Sequence, residues 1–310
     1  MIVCDKKIAV LLAAYNGAKF IAEQLDSLIA QTSDDWRCYI HDDGSDDGTD
    51  KIIAEYAERF PERLTVIEGA PTGRACANFC FMFAKIEAEE YMCCDQDDVW
   101  FKDKIARTYH CMRKLETDRS VPCLIYSDQK IADEKLNILA ESSDKYQRLH
   151  CLDTAMPHLL AHNVVTGCTM MVNRALRDMF IRASDSDKMV MHDWWAALLA
   201  AQFGKMYFIK NPTMLYRQHS LNTLGANKMD ANMIWNRINR NGRKFVRRSL
   251  YASWEQADEF ARIYGLDSSS LISVYGTLKD RSKLERLKIY ARYGIHKSSW
   301  IRTAGMYVLG

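Results

Sequence analysis

The sequence predicts an α/β protein: a mixed, mostly parallel sheet flanked by helices, with a helical C-terminal extension. Three observations carry that prediction. Short continuous apolar runs alternate with segments of helical periodicity through residues 8–115, and alternation at this spacing builds parallel sheets. Two of the apolar runs end in acidic clusters, at the place where open α/β sheets bind ligands, beyond the carboxyl ends of strands. From about residue 230 onward only helical patterns remain.

The elements follow in order. Ile8 to Ala14, IAVLLAA, reads as a strand buried on both faces. Tyr15-Asn16-Gly17 is a turn, and Phe20, Ile21, Leu25, Leu28 and Ile29 recur at helical spacing. Trp36 to His41 is a second strand. Thr49 is expected to N-cap a helix bearing Ile52, Ile53, Tyr56, Ala57 and Phe60, which Pro61 ends. Leu64 to Glu68 reads as a strand, Ala75 to Ile86 as a helix and Tyr91 to Cys94 as a strand. Phe101, Ile105, Tyr109, Met112 and Leu115 mark the next helix. Past Pro122, Leu124 to Asp128 and Leu136 to Leu139 read as strands around an Asp133-Glu134-Lys135 turn, and Gly167 to Val172 as another. Asp193 to Phe203 is helical, Lys205 to Ile209 and Thr213 to Arg217 are strands, and Lys279 to Tyr293 is one of the later helices. Two units are expected, residues 1–228 with the sheet and residues 229–310 as the extension.

A composition of 48% hydrophobic and 26% charged residues is ordinary for a globular chain. No apolar run approaches the roughly 18 residues of a spanning helix, and the N-terminal apolar run is too short for a signal segment. The ten cysteines include no C-x-x-C and sit mostly in apolar runs. That argues against a zinc site and for buried free thiols in a reducing cytoplasm. The formal net charge of +2 hides a split. Residues 231–310 carry 15 Lys/Arg against 6 Asp/Glu, and residues 1–230 carry 27 against 34. Such asymmetry points to an acidic functional part and a basic appendage facing something anionic, unless the tail merely carries solvated charge.

Ile40 to Asp50, IHDDGSDDGTD, holds five Asp and two Gly in eleven residues. A calcium loop of the EF-hand type fails on position: its eighth residue would be Asp50 and its twelfth Ala54, and a strand rather than a helix enters it. Clustered carboxylates at one sheet edge repel unless a cation joins them. Asp95-x-Asp97 puts two within reach of one divalent ion, and oxygen ligation suits Mg²⁺ or Mn²⁺, which take substrate phosphates as further ligands. Asp42 and Asp43 could then hold a nucleoside, with a diphosphate between the clusters. Asp46, Asp47 and Asp50 read as caps and solvated loop acids.

Six segments stand in register along residues 6–225: AVLLAAYNGAKFIAEQLDSLIAQT, IHDDGSDDGT, CDQDDVW, TGCTMMVN, MHDWW and YRQHSLN. Together they resemble family 2 glycosyltransferases of the GT-A fold, and most nearly the bacterial rhamnosyltransferase-like enzymes of cell-surface polysaccharide synthesis. The resemblance implies inverting transfer from a nucleotide-diphospho sugar, such as dTDP-rhamnose or a UDP-sugar, to a glycan or lipid-linked acceptor. It implies that residues 1–228 are the catalytic domain. Ala13, Ala14 and Tyr15 would line the nucleotide pocket and Asp43 would bind the base. Asp95 and Asp97 match the D-x-D, with Asp97 the chief ligand of Mn²⁺ or Mg²⁺ and His219 near the metal or diphosphate. Asp193 would be the general base; an N-cap role for it is compatible. Trp100, Trp194 and Trp195 are candidates for stacking on sugars. Where the family often has Asn-x-Gly after its third strand, this chain has Gly69-Ala70-Pro71-Thr72-Gly73-Arg74, and Arg74 is the candidate there for a phosphate or acceptor contact.

Rival readings exist. Asp95-Gln96-Asp97-Asp98-Val99 also fits the D-x-D-x-[TV] of haloacid-dehalogenase-like phosphotransferases, with Asp95 as nucleophile; that motif normally opens the sheet near the N-terminus. A nucleotidyltransferase would want a Gly-rich, basic loop after the first strand, which Ala13 to Gly17 does not supply. A non-catalytic nucleotide-sugar-binding module would be signalled by loss of Asp97 or Asp193, and both are present. The basic tail suits a cytoplasmic enzyme at the inner membrane face, where each basic residue near anionic lipid contributes about 1 kcal/mol. No nucleic-acid-reading motif is evident.

Overall fold

The structure, a computed structural model, describes residues 1–219 and 240–309. Its strands are β1 (Ile2–Val3), β2 (Ile8–Ala14), β3 (Trp36–Asp42), β4 (Leu64–Val66), β5 (Ile86–Glu87), β6 (Glu90–Asp95), β7 (Val99–Trp100), β8 (Cys123–Ser127), β9 (Lys130–Ala132), β10 (Ile138–Ala140), β11 (Met171–Asn173), β12 (Lys205–Ile209) and β13 (Met214–Arg217). The helices among the described residues are α1 (Ile21–Ile29), α2 (Thr49–Arg59), α3 (Ala75–Lys85), α4 (Lys104–Leu115), α5 (Ser143–Gln147), α6 (Met156–Ala161), α7 (Arg174–Phe180) and α8 (His192–Phe203). After these come α9 (Arg240–Tyr264), α10 (Leu271–Gly276), α11 (Lys283–Tyr293) and α12 (Trp300–Leu309).

The main sheet runs β12-β8-β11-β6-β2-β3-β4. All its pairings are parallel except the two made by β11, so the sheet is mixed and mostly parallel, as expected. A second sheet, β10-β9-β13-β7, stands beside it. The two-residue alternation of the strands sorts their side chains into two cores. Ile8, Val10, Leu12, Cys38, Ile40, Met92 and Cys94 enter the core shared with Leu25, Ile53 and Ile105 of α1, α2 and α4. Ala9, Leu11, Tyr39, Tyr91 and Cys93 enter the other, with Phe79 of α3 and Trp195 of α8.

That second core also contains Leu250, Trp254 and Phe260 of α9, Tyr275 of α10 and Tyr290 of α11. Trp195 donates its indole N–H to the Tyr264 hydroxyl at 3.1 Å, and Val190 N–H reaches Gln256 at 2.9 Å. The C-terminal helices are therefore built into the core. The expected 228/229 boundary itself lies outside the described residues.

Several local expectations change. Thr49 is the first residue of α2, and Gly48, at φ +97°, holds the N-cap position. The Gly167 to Val172 strand begins instead as a 3-10 turn, Gly167–Thr169, before β11, because the Gly167 and Met170 backbone closes a turn at 3.0 Å. All ten cysteines are free. No described helix is long and apolar enough to cross a membrane.

Candidate active site

Parallel register brings three strand ends level. Ala13 of β2 pairs with His41 of β3 and with Asp95 of β6, and Ala14 pairs with Asp42. Ala13, Ala14, Tyr15, Asp43, Asp95 and Asp97 therefore share one lip of the sheet. Tyr15 is exposed there and Ala14 buried. Gln96 fastens the turn after β6 to the turn after β2: its Oε1 accepts from Tyr15 N at 2.8 Å and its Nε2 donates to Tyr15 O at 2.7 Å.

The acidic turn after β3 is fastened to the same place. Asn16 N donates to Ser45 Oγ at 2.9 Å, Gly17 N to Thr49 Oγ1 at 2.8 Å and Ala18 N to Asp47 at 3.0 Å. Asp42 accepts from the backbone N–H of Ser45, and Asp47 from that of Thr49. Asp42 and Asp47 thus organise their own turn. Asp43 is buried, and its two carboxylate oxygens accept from the backbone N–H groups of Thr72 and Gly73. It anchors the 69–74 loop, which leads into α3 through the exposed Arg74.

Asp97 Oδ2 lies 2.8 Å from His219 Nε2, and Arg217 Nε donates to the Asp97 carbonyl at 2.8 Å. His219 packs its ring on Phe20, with centroids 4.6 Å apart. Asp98 is fully buried; its Oδ1 accepts from Arg217 N at 3.1 Å and its Oδ2 has no partner. One ligand atom each of Asp95, Asp98 and Cys168 falls within a 4.8 Å cluster. Burial, and then the neighbouring Asp97, push Asp95 up to about 6 and Asp98 well above the usual carboxylate range. Burial also holds the Cys168 thiol in its protonated form. The donors on offer are carboxylates and one imidazole, with an orphaned carboxylate oxygen among them. That set fits a hard divalent cation such as Mn²⁺ or Mg²⁺.

Asp193 is 7% exposed. It lies in the first turn of α8 rather than at the N-cap, which is Met191. Its carboxylate accepts from Asn163 Nδ2 at 2.9 Å, Gly167 N at 3.0 Å and Trp194 N at 2.6 Å. Gly167 has no room for a side chain, since a Cβ there would sit 2.5 Å from His192 Nε2. Burial raises the Asp193 pKa. Asp193 also lies close enough to Asp95 to add to the upward push on that carboxyl, so the carboxylates of α8 and of the sheet lip share one neighbourhood.

The three tryptophans expected to stack on sugars are packing residues. Trp100 is 3% exposed and carries Lys104 Nζ 4.3 Å over its ring. Trp195 is 0% exposed, packed on Phe260. Trp194 is 8% exposed and donates its indole N–H to Leu159 O at 2.6 Å. From the sequence alone Gln96, Arg217, Asn163 and Gly167 have no role, and Asp98 has only its place in the acidic cluster after β6. The first four act through backbone, amide or guanidinium contacts that leave no pattern in a linear chain.

Residues 9–180 match the model of Glycosyl transferase family 2. The chain is 30% identical over 229 residues, covering 70% of it and 74% of the relative, to the dTDP-rhamnosyl transferase RfbG of Shigella flexneri. It is 22% identical over 218 residues, 70% of this chain and 65% of the relative, to an uncharacterized glycosyltransferase of Rickettsia prowazekii. Among solved structures it is similar to S. aureus TarS residues 1–349 in complex with UDP-GlcNAc, with TM-score 0.52 and 14% identity over 98% of this chain and 90% of that one. It is also similar to the mannosyltransferase PcManGT of Pyrobaculum calidifontis in complex with GDP-Man and Mn²⁺, with TM-score 0.54 and 17% identity over 98% of this chain and 84% of that one. The chain belongs to glycosyl transferase family 2, a nucleotide-sugar glycosyltransferase with the GT-A fold.

Proposed function

We propose that the protein is an inverting, metal-dependent glycosyltransferase that moves a sugar from a nucleotide-diphospho donor to a hydroxyl of a glycan or lipid-linked acceptor in cell-surface polysaccharide synthesis. dTDP-rhamnose is the first donor to test, because the 30% identical relative is a dTDP-rhamnosyl transferase; UDP-sugars come second. The observation that carries the reading is the level register of Ala13, His41 and Asp95, with Asp193 held by three hydrogen bonds in the neighbourhood of Asp95.

The roles follow from residue chemistry. Tyr15 and Ala13 form a wall for the nucleoside, while Ala14, expected beside them, turns its side chain into the core. Asp43 keeps the 69–74 loop in place, and its oxygens retain lone pairs for a base N–H. Asp97, Asp95 and His219 would hold the Mn²⁺ or Mg²⁺, and the exposed Arg74 is the candidate for a phosphate or acceptor contact. When bound, the cation supplies charge neutralisation for the departing diphosphate. Asp193 takes the proton of the acceptor hydroxyl as it attacks the anomeric carbon, opposite the nucleotide, through an oxocarbenium-like state. The reading of Asp95 as a phosphoryl-accepting nucleophile is not favoured, since the family match spans residues 9–180.

The decisive experiment is a panel of nucleotide sugars in thermal shift, with and without Mn²⁺. A true donor stabilises by mass action. Acceptor-dependent release of nucleoside diphosphate, lost in Asp97→Ala, supports the reading; an Asp97→Ala enzyme as fast as the parent overturns it.

We further propose that the protein works at the cytoplasmic face of an anionic membrane. α9 exposes Arg243, Lys244, Arg247 and Arg248, and α12 exposes Trp300 and Val308. Exposed basic residues together with exposed Trp and aliphatic side chains are the composition of an interfacial anchor.

A further inference from the structure

Away from the strand ends, the 148–162 segment meets the residues between α11 and α12. Asp153, His158 and His296 each place one ligand atom within 4.8 Å of the others. Asp153 and His296 border an open cavity of about 530 Å³, on whose wall His150 also lies, and His158 is buried behind them.

The hydrogen bonds define which ring nitrogens carry protons. His296 Nδ1 is 2.8 Å from the Gly294 carbonyl, and His158 Nδ1 is 3.2 Å from the His296 carbonyl. A carbonyl only accepts, so both Nδ1 atoms are donors. The lone pair of each neutral imidazole then resides on Nε2. His296 Nε2 is 2.9 Å from Asp153 Oδ2. Two lone pairs at that separation repel, so a positive centre belongs between them: a proton, or a metal ion. His158 is fully buried, and its Nε2 has no hydrogen-bond partner. A buried imidazole nitrogen without a partner is costly, and burial opposes charging that ring. Anchoring Nδ1–H on a backbone carbonyl is how ligating histidines are normally oriented. Here the orienting bonds are in place twice, beside a carboxylate.

We propose that Asp153, His158 and His296 form a binding site for a divalent transition cation, Zn²⁺ in the first instance, that staples the C-terminal helices to the catalytic domain. Two imidazoles and one carboxylate suit Zn²⁺ better than Mg²⁺ or Ca²⁺, and the cavity leaves an open position for water. On binding, Asp153 and the two Nε2 atoms become ligands, and the proton shared by His296 and Asp153 leaves to solvent. The staple joins residues far apart in sequence. It also bears on the chemistry, since α6 carries His158 and ends two residues before Asn163, which holds Asp193. The site uses no thiol, which is why cysteine spacing gives no sign of it.

The test uses the full chain, stripped of metal, in an Asp97→Asn background so that the strand-end carboxylates do not compete. Zn²⁺ is titrated by calorimetry, with thermal unfolding as a second readout and Co²⁺ as a spectroscopic probe. The expected result is one equivalent bound, a rise in melting temperature, and a Co²⁺ spectrum free of thiolate charge transfer. His296→Gln and Asp153→Asn each weaken binding at least tenfold and abolish the thermal shift. His296 is partly exposed, so its replacement leaves the core intact, which circular dichroism checks; Asp153→Asn gives the same answer independently. Absence of a saturable equivalent, unchanged affinity in both variants, or a thiolate band that assigns the metal to cysteine overturns the proposal. None of these outcomes depends on the identity of the sugar donor.

Discussion

Gln96 grips Tyr15 by both ends of its amide, accepting from the N–H and donating to the C=O across 81 residues of chain. The middle residue of the Asp95-Gln96-Asp97 triplet is thereby fixed to the end of β2, and the two flanking acids are set relative to the Tyr15 backbone. The clamp also explains Gly17. A Cβ at Gly17 would lie 2.2 Å from Gln96 Oε1.

Gly17→Ala and Gln96→Ala should therefore produce the same defect. Each removes two hydrogen bonds together worth about 1–3 kcal/mol, and the loss falls on donor binding because it disorders the lip. The expected outcome is a donor KM raised roughly 5- to 150-fold, with kcat changed less. Steady-state nucleoside diphosphate release at varied donor concentration measures both. Parent-like KM in both variants would show that the clamp does not position the donor.

Asp193→Asn should separate chemistry from binding. Loss of a general base costs about 10²–10⁴-fold in rate, while the thermal shift produced by the nucleotide sugar remains. The pH profile follows from burial, which raises the Asp193 pKa above its ordinary 3.8. A general base acts in its deprotonated form, so on this reading kcat/KM should rise with pH through an acid limb displaced upward from that of a free aspartate. Asn163→Ala removes the amide that donates to Asp193 at 2.9 Å. A hydrogen bond to the carboxylate favours its charged form, so this variant should move the limb to still higher pH. An unmoved limb would mean that another group sets it.

The start of β6, at the opposite end from Asp95, carries a buried acid. Glu90 opens β6 and is 1% exposed, with one oxygen 3.4 Å from Arg113 and the other without a partner. Burial, and then the nearby Glu116, push its pKa up to about 8. Between the unfolded value near 4.5 and about 8, the folded state keeps a proton that the unfolded chain has lost. This contribution is complete below 4.5 and declines as pH rises through the window, by at most about 1.4 kcal/mol per pH unit. Chemical denaturation at pH 5, 7 and 9 should show falling stability. Glu90→Gln should flatten that trend and leave the protein relatively more stable at pH 9. A parent whose stability rises from pH 5 to 9 would contradict the assignment.

Legibility in the sequence depended on how local the cause was. Ile8–Ala14 was readable to the residue because its apolar run reports burial on both faces of a central parallel strand. The acids were readable because a strand end followed by a helix start is a local pattern. Gln96, Asn163 and the Asp153–His296 pair were invisible because their partners stand 81, 30 and 143 residues away. The tryptophans misled for a different reason. Aromatic residues next to acids resemble a sugar platform, but α8 reads His-Asp-Trp-Trp-Ala-Ala-Leu-Leu-Ala-Ala, apolar on every side. A helix apolar all round is a buried helix, so the signal that Trp194 and Trp195 face the core was present in the residues that follow them. The short β9, α5, α6 and α7 lack the length that makes periodicity visible.

Deleting residues 231–310 is the obvious test of membrane binding, but it would remove Trp254, Phe260, Tyr275 and Tyr290 from a core they share with Trp195 and Leu199. Loss of binding in that variant would report unfolding. Charge removal at the surface avoids the problem. Arg243, Lys244, Arg247 and Arg248 are exposed on α9, and four Gln substitutions leave the buried side of that helix untouched. At about 1 kcal/mol for each basic residue near an anionic surface, the four together should weaken binding to phosphatidylserine-containing vesicles by about two to three orders of magnitude. Binding to neutral vesicles should change little, and 0.5 M salt, at roughly one Debye length of a few ångströms, should mimic the mutations. Trp300→Ala, at a side chain 79% exposed, should weaken binding to both vesicle types if α12 lies in the interface. Cosedimentation measures each case. Full sedimentation of the four-Gln variant with anionic vesicles would remove the electrostatic half of the reading, and parent-like binding by Trp300→Ala would remove the apolar half.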